Sequence, residues 1–151
     1  MPSVSSLAPS ASRLVRSARV ARLATSGADR QPHVIPICFV FDGKDFFSPL
    51  DEKPKRVAPH KLKRLRNIGE NAKVSLVIDH YEEDWRKLSY TLVFGKARVL
   101  TRGKKHRDAV SRLRRKYPQY RHMAIHQRPL IQITPNRWSF WESLKGTPSS
   151  G

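Results

Sequence analysis

Alternation of apolar and polar residues gives the first structural signal in the chain. Over 19–26, Ala21, Leu23 and Thr25 fall on one face and Val20, Arg22 and Ala24 on the other, which is the period of a strand. Gly27-Ala28-Asp29-Arg30 supplies a turn, and a longer strand is predicted over 31–41. Asp42-Gly43 is a hairpin signal, because both residues tolerate the positive φ of a tight primed turn. The return strand covers 44–50. Leu62, Leu65 and Ile68 then recur at helical spacing, predicting a helix over 59–69 with Pro59 in its first turn and Gly69 at its stop. The segments 73–80, 89–100 and 130–141 read as further strands, with Gly95 marking a bulge or a close backbone approach. A very basic helix carrying Val110 and Leu113 is expected over 104–117, and a short amphipathic one over 12–18 with Leu14 and Val15 inward.

Roughly six strands with two or three flanking helices imply a mainly β (α+β) domain, a barrel decorated with helices. At 151 residues the chain suits one domain. Its expected organisation is a flexible N-terminal arm over 1–12, a folded domain over 13–143 and a flexible tail over 144–151. No apolar run approaches the roughly 20 residues that cross a bilayer, so no membrane partner is expected. The longest run, 34–41, is interrupted by Pro36. No apolar stretch long enough for a signal peptide follows Arg13 and Arg16. Cys38 is the single cysteine, which excludes an intrachain disulfide. A cytoplasmic protein is the simplest reading.

Charge changes the picture. Thirty Lys and Arg against 12 Asp and Glu give a net charge of +18. Such a surface attracts polyanions: nucleic acid, anionic lipid, or a phosphorylated and carboxylated cofactor. The plainer alternative is a solvated basic face. No nucleophile elbow, Walker loop or Rossmann glycine pattern is present. His122 and His126 have the spacing of two metal ligands on one helix, but they lie in a basic, proline-flanked stretch without a carboxylate. No metal is predicted. The informative segment is 48–67, where a strand ends in Ser48-Pro49-Leu50, a cationic loop follows and a basic helix opens. Loop cations and a helix N-terminus form an anion clamp beside a strand edge that presents backbone groups to a flat ring.

The order Arg19-Val20-Ala21-Arg22-Leu23-Ala24-Thr25, Pro32-His33-Val34-Ile35-Pro36 and Lys53-Pro54-Lys55-Arg56 resembles the pyridoxamine-phosphate-oxidase-like split-barrel family. It continues through Leu65-Arg66-Asn67-Ile68, Lys73-Val74-Ser75-Leu76-Val77-Ile78-Asp79 and Gly95-Lys96-Ala97-Arg98-Val99. Asp79-His80-Tyr81, Asp84-Trp85 and Lys116-Tyr117-Pro118-Gln119-Tyr120 make it similar, more narrowly, to the coenzyme F420-dependent branch. The resemblance covers about residues 14–142. It implies a six-stranded split β-barrel and a homodimer with two cofactor sites at its interface. It implies that Lys53, Lys55, Arg56, Lys61 and Asn67 grip the cofactor phosphate. His33, Val34, Ile35, Pro36 and Ile37, with Ser48, Pro49 and Leu50, would line the ring. Trp138 and Trp141 on the closing strand would approach the partner's site, although core or dimer packing is the commoner use of such residues.

The resemblance implies an oxidoreductase that passes a hydride from reduced F420 to a small conjugated or quinone-like acceptor. The ring carries the hydride, so no acid–base pair is required of the side chains, and no catalytic residue is assigned. F420 bears a phosphate and a carboxylate-rich tail, whereas FMN bears only the phosphate, and the +18 balance favours F420 over FMN. Rival readings are an FMN-dependent oxidoreductase, a non-catalytic flavin- or haem-binding barrel, and a basic nucleic-acid-binding protein. The last is disfavoured because Lys and Arg are spread over several elements with no nucleic-acid-binding pattern, so no specific nucleic acid is expected as a partner.

Overall fold

The computed structural model describes residues 7–50 and 62–143. Helix α1 (Pro9–Ser17) opens on a proline, which has no N–H to leave unpaired in a first turn. Ala11 and Val15, four residues apart, form its fully buried face. Strand β1 (Ala21–Ser26) buries Ala21, Leu23 and Thr25, the expected alternation. Strand β2 (Pro32–Ile37) bonds only to β1 and is one edge of the sheet, where Pro32 and Pro36 leave no ladder partner unsatisfied. Strands β3 (Val40–Phe41) and β4 (Phe46–Pro49) make a tight hairpin.

Helix α2 (Lys63–Glu70) turns Leu65 and Ile68 inward. Strands β5 (Lys73–His80) and β6 (Ser89–Leu100) occupy their predicted spans. Helix α3 (Lys104–Lys116) buries His106, Ala109, Val110 and Leu113, and two 3-10 turns, Pro118–His122 and Ile125–Gln127, lead to β7 (Leu130–Glu142).

The strands form one sheet in the order β2-β1-β5-β6-β7-β4-β3, every neighbouring pair antiparallel, curled into a split barrel. Two cores result. Leu23, Phe39, Phe46, Leu76, Ile78, Val93, Ile131 and Ile133 fill the barrel, closed by Val15 of α1 and by Leu65 and Ile68 of α2. Val40, Phe47 and Leu130 point the other way, against Ala109, Val110 and Leu113 of α3. All four residues of β4 and the first four of β7 are therefore buried without alternation, because both faces of the sheet are covered there.

Four sequence expectations are corrected. There are seven strands rather than six, because the predicted 31–41 strand breaks at Cys38-Phe39 and the chain crosses from one sheet edge to the other. Asp42 does not take a positive φ. Gly43 alone does, at +99°, and the Asp42 carboxylate accepts from the Lys44 and Asp45 N–H groups at 2.8 and 2.7 Å. Gly69 lies inside α2, which runs on to Glu70 and is capped by Asn71. Residues 9–12, expected in the arm, belong to α1. The predicted bulge is present: the β6–β7 register shifts at Phe94/Gly95, and a Cβ at Gly95 would lie 2.5 Å from the Thr134 carbonyl oxygen. Residues 1–6, the expected basic loop with Pro59, and 144–151 lie outside the described residues.

Candidate functional site

The sequence-predicted residues divide between two faces of the sheet. On β2, Val34 and Pro36 project outward and are exposed, while His33, Ile35 and Ile37 turn toward the barrel. Ser48, Pro49 and Leu50 are buried, and Leu50 belongs to the main core. Strands β2 and β4 stand far apart in the strand order, so the two ring-lining segments share the barrel core and not a ladder. Lys53, Lys55, Arg56 and Lys61 lie outside the described residues.

Asn67, assigned to the phosphate by resemblance, is wholly buried on the inner face of α2. Its amide donates to the Thr25 hydroxyl at 3.0 Å, fastening α2 to β1. Thr25 is the register partner of His33, so three polar side chains gather at one end of the barrel. Asn67 Oδ1 and His33 Nδ1 are both buried there without a protein partner. Unpaired buried polar atoms are costly, and a bound group is one way to satisfy them.

Around the same end, on the outer face, lies a groove of about 590 Å³. Ala24, Ser26, Pro32, Ser75 and Phe94 line it, together with the basic side chains of Lys73, Lys96 and Arg137. Lys73 and Lys96 are direct cross-strand partners. Like charges so placed repel, and no carboxylate is among the described lining residues. The Arg137 guanidinium stacks 4.2 Å over the Phe94 ring, a flat cationic plane. The Phe94 ring, the Ser26 and Ser75 hydroxyls and three basic side chains without a carboxylate suit a planar, anionic ligand. These donors fit a phosphorylated flavin or deazaflavin.

The closing strand is split in its use. Trp138 packs on Phe41 and Phe46, with ring centroids 5.7 and 5.6 Å away. Trp141 is exposed and stacks on Tyr90 across the ladder at 5.7 Å. Val34, Tyr90 and Trp141 stand out on the same outer face as the groove, 61%, 40% and 46% exposed.

Sequence reasoning did not assign Lys73, Ser75, Phe94, Lys96 or Arg137 to the site. Lys73, Ser75 and Lys96 entered only as members of the motifs that carry the resemblance, without a role at the site. The Lys73–Lys96 pairing depends on register, which alternation alone does not reveal.

A protein-family model described as pyridoxamine 5'-phosphate oxidase matches residues 7–142. No curated protein sequence matches the chain. Among solved structures, a conserved hypothetical protein from Mycobacterium tuberculosis superposes with a TM-score of 0.72 at 18% identity, over 96% of this chain and 95% of its own. A protein described as an F420 reductase gives 0.61 at 20% identity, covering 85% of this chain and 94% of that one. A heme storage protein from Vibrio cholerae gives 0.68 at 15%, covering 90% and 94%. At these identities the likeness is one of fold.

Proposed function

The chain belongs to the pyridoxamine 5'-phosphate oxidase family, and from that premise we propose that it is an oxidoreductase using coenzyme F420, with FMN the alternative cofactor. The observation that carries this reading is the unneutralised Lys73–Lys96 pair, which lines one groove together with Arg137 and the Phe94 ring beneath it. Facing lysines destabilise the empty protein and gain a partner when an anion binds. The bound ring would carry a hydride between the cofactor and a small conjugated or quinone-like acceptor. The protein's own part is to hold the ring, neutralise its phosphate and tail, and keep water out.

The groove opens on the outer face of the sheet, the face on which Val34, Tyr90 and Trp141 are also exposed. A second copy of the chain covering this face would roof the groove and bury those side chains, which supports a homodimer with shared cofactor sites. No helix among the described residues is long and apolar enough to cross a membrane. A reducing, cytoplasmic setting agrees with the single free Cys38. A haem-binding reading is less well supported, since the described groove lining offers no His, Cys, Met or Tyr to hold iron.

Fluorescence titration with F420 and with FMN, at low and high salt, tests the proposal. F420 is expected to bind more tightly, with the preference shrinking as salt screens its tail carboxylates over about 8–10 Å. Tighter FMN binding at every salt concentration would replace F420 by a flavin, and absence of both would end the reading.

A further inference from the structure

On the far side of β4 and β7 from the barrel interior, α3 meets the two 3-10 turns around a cavity of about 420 Å³. Arg107, Ser111 and Arg114 lie along one face of α3, at the i, i+4, i+7 spacing of a helix, and Arg121 and His126 close the other side. No carboxylate is among the described lining residues. Arg107 and Arg121 are exposed and make no ion pair with any described residue.

Arg114 is held in place. Its guanidinium donates to the carbonyls of Tyr120 and Met123 at 3.2 and 3.1 Å, and to His126 Nδ1 at 2.9 Å. Arginine only donates, so His126 accepts through Nδ1 and keeps its proton on Nε2. His106, in the cavity floor, donates from Nε2 to the Arg128 carbonyl at 2.7 Å. These bonds fix the cavity wall before anything binds, which lowers the ordering cost of binding.

Helix stability does not account for the arrangement. Cations in the last turn suit the helix dipole, but α3 also carries Lys104 and Lys105 in its first turn and no acidic residue there. Arg107 and Arg121 lie outside that last turn. We propose that this cavity is a second anion site, separate from the cofactor groove, which binds a compact, multiply charged phosphate compound of the di- or triphosphate class. Arg107, Arg114, Arg121 and His126 supply convergent donors for several phosphate oxygens at once, with Arg114 and His126 already held in place. The inference stands independently of the cofactor reading.

The test is a calorimetric titration with inorganic tripolyphosphate at physiological ionic strength. The double variant Arg107→Ala/Arg121→Ala is compared with Arg30→Asn/Lys87→Ala, which removes the same charge from exposed positions elsewhere. One saturable site per chain is expected, weakened about tenfold or more by the first pair and within about twofold by the second. Equal weakening by both pairs would reduce the effect to a diffuse positive field and overturn the proposal, as would absence of a saturable site. A short single-stranded DNA should bind the two double variants alike. If DNA alone separates them, the cavity reads a nucleic-acid backbone and the assignment fails. Displacement of tripolyphosphate by F420 or FMN would merge the cavity with the cofactor site and also overturn it.

Discussion

The Lys116 ammonium donates to the Phe39 carbonyl at 3.0 Å and lies 3.9 Å from the centre of that residue's own ring. One side chain at the end of α3 thus grips the crossing at which the chain leaves β2 for β3. Burial lowers the ammonium's pKa from 10.5 to about 8, with Arg19 adding repulsion.

Over pH 8 to 10.5 the unfolded chain binds the proton that the folded chain has released. The contribution of Lys116 is therefore complete above the unfolded value and is lost as pH falls through the folded one. Wild type is expected to gain stability on Lys116→Met across this window. Denaturation at pH 7, 8, 9 and 10 checks it, and a constant difference would contradict a buried ammonium.

The neighbouring Tyr117 hydroxyl accepts from the Phe39 N–H at 3.1 Å and donates to the Arg19 carbonyl at 2.8 Å. Tyr117→Phe leaves that buried N–H unpaired and should destabilise by about 1–3 kcal/mol. Burial first raises the phenol's pKa from 10.0 to about 12. Its stabilisation is present below pH 10 and lost as pH rises through 12, so the variant's deficit should narrow there. Parallel melts of both proteins between pH 8 and 12 measure this.

Gly95→Ala would place a Cβ 2.5 Å from backbone oxygen at the bulge. A loss of about 1–3 kcal/mol or more is expected in urea unfolding. Gly69→Ala meets nothing within 4 Å and sits inside α2, so it should gain about 0.5–1 kcal/mol. Equal effects at the two positions would refute the close approach.

Lys73→Ala relieves the repulsion with Lys96, so the cofactor-free protein should gain about 0.2–1 kcal/mol. The same change should weaken F420 or FMN binding, as should Arg137→Ala, each by about 1.5–3 kcal/mol where the contact is direct. Lys55→Ala/Arg56→Ala tests the loop that the resemblance assigns to the phosphate. Unchanged cofactor affinity in all three variants would move the site elsewhere.

Val34, 61% exposed on the β2 edge, should be covered in a homodimer. Sedimentation is expected to show a dimer at micromolar concentration, and Val34→Lys should shift it toward monomer with an unchanged far-UV spectrum. A wild-type monomer would count against shared sites.

Much of the fold was legible in the chain itself. The two-residue period placed β1, the run of β-branched residues over 73–80 placed β5, Val110 and Leu113 fell inside the expected α3, and Gly95 marked the bulge in β6, because these are local consequences of strand and helix geometry. The order of the motifs carried the family, which the match over residues 7–142 establishes. Tertiary structure decided the rest. It set Lys73 opposite Lys96, turned Asn67 inward onto Thr25, broke the 31–41 strand at Phe39, and brought Arg121 and His126 against α3. Local pattern sets the period of an element but not its register, its edge or the neighbour that covers it. Those depend on contacts between residues far apart in sequence, and in this protein such contacts bring Lys73 beside Lys96 and Arg121 beside α3.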